Sequence, residues 1–127
     1  MTPASKDIFN RAELLLGADV MERLAAVRVI VFGVGGVGSW CAEGLVRSGV
    51  THLTLVDADC VAPSNINRQR MATVSTVGRS KVETLREMLL DMMETEKAEK
   101  IRKDINRTIK DWQQDLMDNG LPERMTL

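Results

Sequence analysis

The chain has 127 residues, 44% of them hydrophobic and 28% charged, with a formal net charge of −1. That size and balance predict one soluble globular domain, or a piece of a larger one, without a net field to draw it onto nucleic acid or a membrane surface. No apolar run is long enough to span a bilayer, the start Met1-Thr-Pro-Ala-Ser-Lys is not a secretory signal, and two cysteines without a C-x-x-C pair exclude a disulfide framework or a four-cysteine zinc site within the chain. A cytoplasmic setting follows as the expectation. With aromatics at 3% and no Tyr, aliphatic side chains and eight Met must fill the core.

Residues 8–25 read as helical, with Ile8, Leu14, Leu15, Met21 and Leu24 at apolar positions and Gly17 breaking the run after Leu16. Arg28 to Phe32 is a short apolar run and predicts a buried parallel strand. Gly33-Val-Gly35-Gly36-Val-Gly38 follows at once. Gly33 permits a tight turn, Gly35 lets backbone approach a phosphate, and Gly38 lets the next helix pack on the strand. That helix is predicted from about Gly36 to Ser48, with Trp40, Leu45 and Val46 as core candidates and Cys41 as a packed residue. Its N-terminus offers free N–H groups and a partial positive charge to an anion. Gly49 ends it. Leu53 to Asp57 reads as a second strand, so strand, helix and strand make a right-handed parallel βαβ unit. His52 reads as a strand-edge residue.

Ala58 to about Thr76 carries turn chemistry and contains Cys60, Pro63, Asn65 and Asn67. A further helix is predicted from Val77-Gly78-Arg79 and includes Lys81, Leu85 and Leu89. From Asp91 the pattern changes. Ile101, Ile105, Ile109, Trp112 and Leu116 recur on one helical face, with charges on the others. That face docks either on its own domain or on a partner chain. The chain thus divides into a nucleotide-binding region at 1–90 and a helical tail at 91–127.

The chemistry gathers around the glycines. Asp57 ends the second strand about 20 residues beyond them, where a carboxylate reaches a ribose hydroxyl in this architecture. The other reading is a strand-terminal Asp that caps the next turn. Asp59 divides the same way. Asn65, Arg68 and Gln69, with Lys81 at the next helix, look like a polyphosphate clamp: Arg supplies a planar fork, Asn a neutral donor and Lys a point charge. Singly, each reads as a solvated loop residue.

Four motifs occur in order: Gly33-x-Gly35-Gly36-x-Gly38, Leu55-Val-Asp57-x-Asp59-x-Val61, Ser64-Asn65-x-x-Arg68-Gln69 and Val77-Gly78-x-x-Lys81-Val82-Glu83. Over about residues 8–90 the chain resembles the ThiF-like adenylating enzymes related to the ubiquitin-activating E1 proteins. Arg11-Ala-Glu-Leu-Leu-Leu-Gly17 and Gly38-Ser-Trp-Cys-Ala-Glu-Gly-Leu-Val-Arg-Ser-Gly49 are similar to their tRNA threonylcarbamoyladenosine dehydratase branch. The resemblance implies a Rossmann-like α/β fold and the use of ATP and Mg²⁺ to adenylate a carboxylate. In that branch the carboxylate sits on a modified tRNA adenosine, and ring closure follows with loss of AMP. The resemblance further places Gly36 against the nucleotide and Asp57 at the ribose, with Asp59 beside it. Asn65, Arg68 and Lys81 fall on the phosphates. Arg11 matches an arginine that enters the active site of a neighbouring subunit, which implies a homodimer. Arg11, Arg68 and Lys81 are then the catalytic set.

The family's Mg²⁺-holding Asp motif has no match here, so no residue is assigned to a metal; Asp104-Ile-Asn106 falls in a helical stretch. Nor does either cysteine match the family's catalytic one. Two other readings stand beside the dehydratase: a sulfur-carrier-protein adenylyltransferase relative, with a carrier-protein partner, and a non-catalytic nucleotide-binding or assembly module. Hydride transfer to NAD fits less well, because it needs no triphosphate clamp. With only two strands recognisable, an open sheet edge and marginal stability are expected.

Overall fold

Gly17 splits the first helical run into α1 (Asn10–Leu16) and α2 (Ala18–Ala26). A computed structural model describes residues 8–93 and residue 114. After α2 come β1 (Arg28–Phe32), α3 (Gly38–Ser48), β2 (His52–Val56), a single 3₁₀ turn (Pro63–Asn65) and α4 (Lys81–Leu90). The two strands pair in parallel, from Arg28 opposite His52 to Phe32 opposite Val56, with α3 as the crossover. The mixed α/β architecture and the parallel βαβ unit read from the sequence are therefore present.

One hydrophobic core joins the sheet to α3 and α4. Leu53, Leu55, Met71, Leu85 and Leu89 are fully buried. Each contributes about 1.5–3 kcal/mol of transfer free energy. Val29 and Val31 pack against this core from β1, whereas Ile30 is 44% exposed on the other side of the strand. Among the described residues no strand pairs with the second edge of β1.

Several local expectations need correction. Helix α3 begins at Gly38 instead of Gly36, because Gly33 to Val37 are spent on the turn. Its buried stripe is Ser39, Ala42 and Val46. That rotation turns Trp40 and Cys41, both expected in the core, toward solvent. Helix α4 begins at Lys81, later than 77–79, because Ser80 caps it by accepting from the Glu83 N–H at 3.3 Å. The preceding residues are held in the loop, where Gly78 N–H donates to Val61 C=O and Val61 N–H to Arg79 C=O, both at 2.8 Å. On α1, Leu14 and Leu15 are 87% and 84% exposed, so that helix buries none of its residues in the described structure. The apolar face at Ile101, Ile105, Ile109, Trp112 and Leu116 lies outside the described residues.

Candidate nucleotide-phosphate site

The glycine turn is built as its spacing predicts. Gly33 has φ of +85°, a conformation open to glycine, and its N–H still donates to Val56 C=O at 2.8 Å. Gly38 permits the close approach that follows. A Cβ there would lie 1.8 Å from the Gly33 carbonyl oxygen. Helix α3 can therefore start directly against the turn. The backbone N–H groups of Gly36, Val37 and Gly38 make no hydrogen bond to any described acceptor. They are the orphan donors of a helix N-terminus, with the dipole's positive end behind them.

Asp57 spans the turn and the loop beyond β2. Its Oδ2 accepts from Val34 N–H and its Oδ1 from Asp59 N–H, both at 2.9 Å. This is the turn-capping geometry that the sequence left open as the second reading. It does not exhaust the carboxylate, since each oxygen can accept more than one donor. Asp59 faces Lys81: its main-chain oxygen accepts from Lys81 N–H at 3.1 Å, and Oδ2 lies 3.9 Å from Nζ. Lys81 is buried, with Asp59 as its ion-pair partner. Nothing in the sequence had suggested a partner for that lysine.

Asn65 is buried and closes the 3₁₀ turn, its Oδ1 accepting from Ala62 N–H at 2.8 Å. The Nδ2 end is then the one left to donate. Arg68 is exposed and forms no ion pair with a described carboxylate. Its guanidinium donates to Ser64 C=O at 3.2 Å and Asn67 Oδ1 at 3.0 Å. Its stem crosses Gly36: Cγ and Cδ would lie 3.5 Å from a Cβ there. The clamp loop and the glycine turn are thus neighbours, which the sequence implied only by order. Gln69, the third residue of the clamp loop, points into the structure instead of out of it. It is buried beside Gly35, where a Cβ would lie 3.7 Å from Nε2, and its Oε1 has no hydrogen-bond partner among the described residues. Arg11, on α1, is exposed and shares no hydrogen bond or ion pair with these residues.

The described carboxylates do not form a Mg²⁺ cage. Asp57 holds two backbone donors and Asp59 faces a lysine, and no group of three His, Cys, Asp or Glu side chains gathers among the described residues. What the turn does offer is N–H-rich and cationic: a helix N-terminus with the Arg68 stem across Gly36, while Lys81 is tied to Asp59, whose N–H donates to the turn-bound Asp57. Such a set suits a polyphosphate.

Residues 9–119 match the ThiF family. Over 84 residues the chain is 48% identical to the tRNA threonylcarbamoyladenosine dehydratase of Bacillus subtilis, covering 66% of this chain and 33% of that protein. It is 42% identical over 83 residues to the molybdopterin-synthase adenylyltransferase of Salmonella typhimurium, covering 64% of this chain and 33% of the relative. The crystal structure of the Escherichia coli tRNA N6-threonylcarbamoyladenosine dehydratase in complex with AMP is similar at a TM-score of 0.67 and 37% identity. That likeness covers 68% of this chain and 35% of the other. The same enzyme has also been solved in complex with ATP. The matched stretch is thus about a third of each relative.

Proposed function

Because this chain belongs to the ThiF family, we propose that its glycine turn binds ATP for the adenylation of a carboxylate. The observation that carries this reading is Arg68 lying across Gly36, beside three uncommitted N–H groups at the start of α3. In adenylation a carboxylate oxygen attacks the α-phosphorus. The bond to the bridging oxygen breaks and pyrophosphate leaves with the electron pair. Charge grows on the phosphate oxygens as this happens. Donors already fixed at the turn stabilise that charge without reorganising. Gly36, Val37 and Gly38 supply N–H groups, while Arg68, Lys81 and the Nδ2 of Asn65 supply the outer donors. Asp57, anchored by the turn itself, takes the ribose, and Asp59 sets the position of Lys81. Arg11 acts in the site of a second copy, so the working unit is a homodimer. Since the described carboxylates form no cage for Mg²⁺, no step is assigned to a metal held by them.

The substrate that fits best is the threonylcarbamoyl carboxylate of a modified tRNA adenosine, the substrate class named for the Bacillus relative. A small carrier protein is the second reading, supported by the likeness to the molybdopterin-synthase enzyme. Among the described residues no helix is long and apolar enough to cross a membrane. Calorimetry with ATP, AMP and adenosine tests the phosphate site. ATP is expected to bind at least tenfold more tightly than adenosine, and Arg68→Ala with Lys81→Ala to erase the difference. Equal loss of ATP and adenosine affinity in that double variant would mean that the two cations serve the fold instead. ATP–pyrophosphate exchange that appears only with modified tRNA, and not with a Gly-Gly-ended carrier, selects the first substrate.

A further inference from the structure

Arg68 and the glycine turn belong to different parts of the chain, and the guanidinium's own bonds do not join them. Ser64 and Asn67 are sequence neighbours of Arg68, so those contacts move with the loop. The joining bonds come from α3. Trp40 Nε1 donates to the main-chain oxygen of Arg68 at 2.8 Å. The buried hydroxyl of Ser39 donates to Gly35 C=O and accepts from Arg70 N–H, the latter at 3.1 Å. Glu43 Oε1 takes Arg70 Nε at 2.8 Å, and the Arg70 guanidinium carbon lies 5.8 Å from the centre of the Trp40 ring. The helix that opens at Gly38, directly after the uncommitted N–H groups of Gly36 and Val37, therefore also fixes the main chain on both sides of Gln69.

We propose that Trp40, assisted by Ser39, is a positioning residue that sets where Arg68 stands over the glycine turn. The inference rests on the ATP reading above. Trp40 is 50% exposed, so burial explains little of its presence at this position. Its ring N–H is aimed at one carbonyl, that of the arginine whose stem crosses Gly36. A cation held to within a fraction of an ångström loses less freedom when phosphate arrives, which raises affinity for the charged part of the ligand alone.

Trp40→Phe keeps a ring beside Arg70 and removes the N–H donor. Calorimetric titration of the full chain with ATP and with adenosine reads the effect. Arg68→Ala is expected to lower ATP affinity about tenfold and leave adenosine binding unchanged. Trp40→Phe should lower ATP affinity roughly three- to tenfold, again sparing adenosine, and Ser39→Ala should act in the same direction. The Trp40→Phe, Arg68→Ala double variant should bind ATP no more weakly than Arg68→Ala, because both changes act through one guanidinium. Hydrogen exchange at residues 65–70 should quicken in Trp40→Phe without ligand. Additive losses in the double variant, or equal loss of ATP and adenosine binding in Trp40→Phe, would overturn the proposal. An unaltered chain that binds ATP and adenosine equally would overturn the ATP reading itself. An undiminished ATP preference in Trp40→Phe would overturn the positioning role alone.

Discussion

The same substitution at two positions of α3 should act in opposite directions. Gly38 and Gly44 both lie in this helix. At Gly38 a Cβ would stand 1.8 Å from the Gly33 carbonyl oxygen and 2.9 Å from its carbonyl carbon. Both are backbone atoms of a turn that β1 and Asp57 hold in place, so no flexible side chain can yield. An ordinary carbon–oxygen contact is about 3.3 Å, so turn and helix must separate by about 1.5 Å. A shift of that size breaks into the close packing at Val34 and Ala42, both wholly buried. Overpacking of this kind costs about 1–3 kcal/mol or more. Gly38→Ala should therefore lower the stability by at least that amount and abolish ATP binding, because the N–H groups move with the helix start. Around Gly44 a Cβ meets nothing within 4 Å. There, Gly44→Ala gains about 0.5–1 kcal/mol of helix propensity and leaves ATP binding unchanged. Urea unfolding followed by far-UV circular dichroism gives both values, and calorimetry gives the binding. Equal stability of the two variants would refute the claim that the helix is built directly onto the turn.

Asp57→Ala should destabilise the chain by about 1–3 kcal/mol, because the N–H of the wholly buried Val34 loses its acceptor. Urea midpoints unchanged within error would show that water replaces the carboxylate freely. Glu43→Ala strips Arg70 of its partner at 2.8 Å and should weaken ATP binding more than adenosine binding, by roughly threefold, as measured by titration; a selective loss of adenosine binding would contradict this. Arg79→Ala removes a two-pronged but exposed pair with Glu87, so its unfolding midpoint should report a loss below about 1 kcal/mol; a larger loss would make the pair part of the core's support. In a single-turnover assay with ATP, Mg²⁺ and threonylcarbamoyl-modified tRNA, the 127-residue chain alone should bind nucleotide but form no cyclised product, since the family's Mg²⁺-holding Asp motif has no match in this sequence and the described carboxylates gather no cation site. Product at the rate of a relative would overturn that expectation.

Much of the site was legible because local covalent constraints write themselves into sequence. A left-handed turn and a helix start pressed on a strand demand glycine, so Gly33 and Gly38 announced their geometry. The apolar runs at Arg28–Phe32 and near Leu53–Asp57 announced two strands, and their parallel pairing follows from the helix between them; only β2 is buried through its centre, whereas β1, expected to be buried, is half-buried at Val29, Val31 and Phe32 and exposed at Arg28 and Ile30. Helix rotation was less legible. Ser39, Ala42 and Val46 form the buried stripe, while the larger Trp40 faces solvent, so size and hydrophobicity ranked the wrong residue as core. The partners of charged groups were not legible at all. Asp59 and Lys81 are 22 positions apart, and Glu43 and Arg70 are 27 apart. Sequence named each group's chemistry, but only the packing of α3 and α4 against one sheet decided which charges met and which, like Arg68, kept only neutral partners.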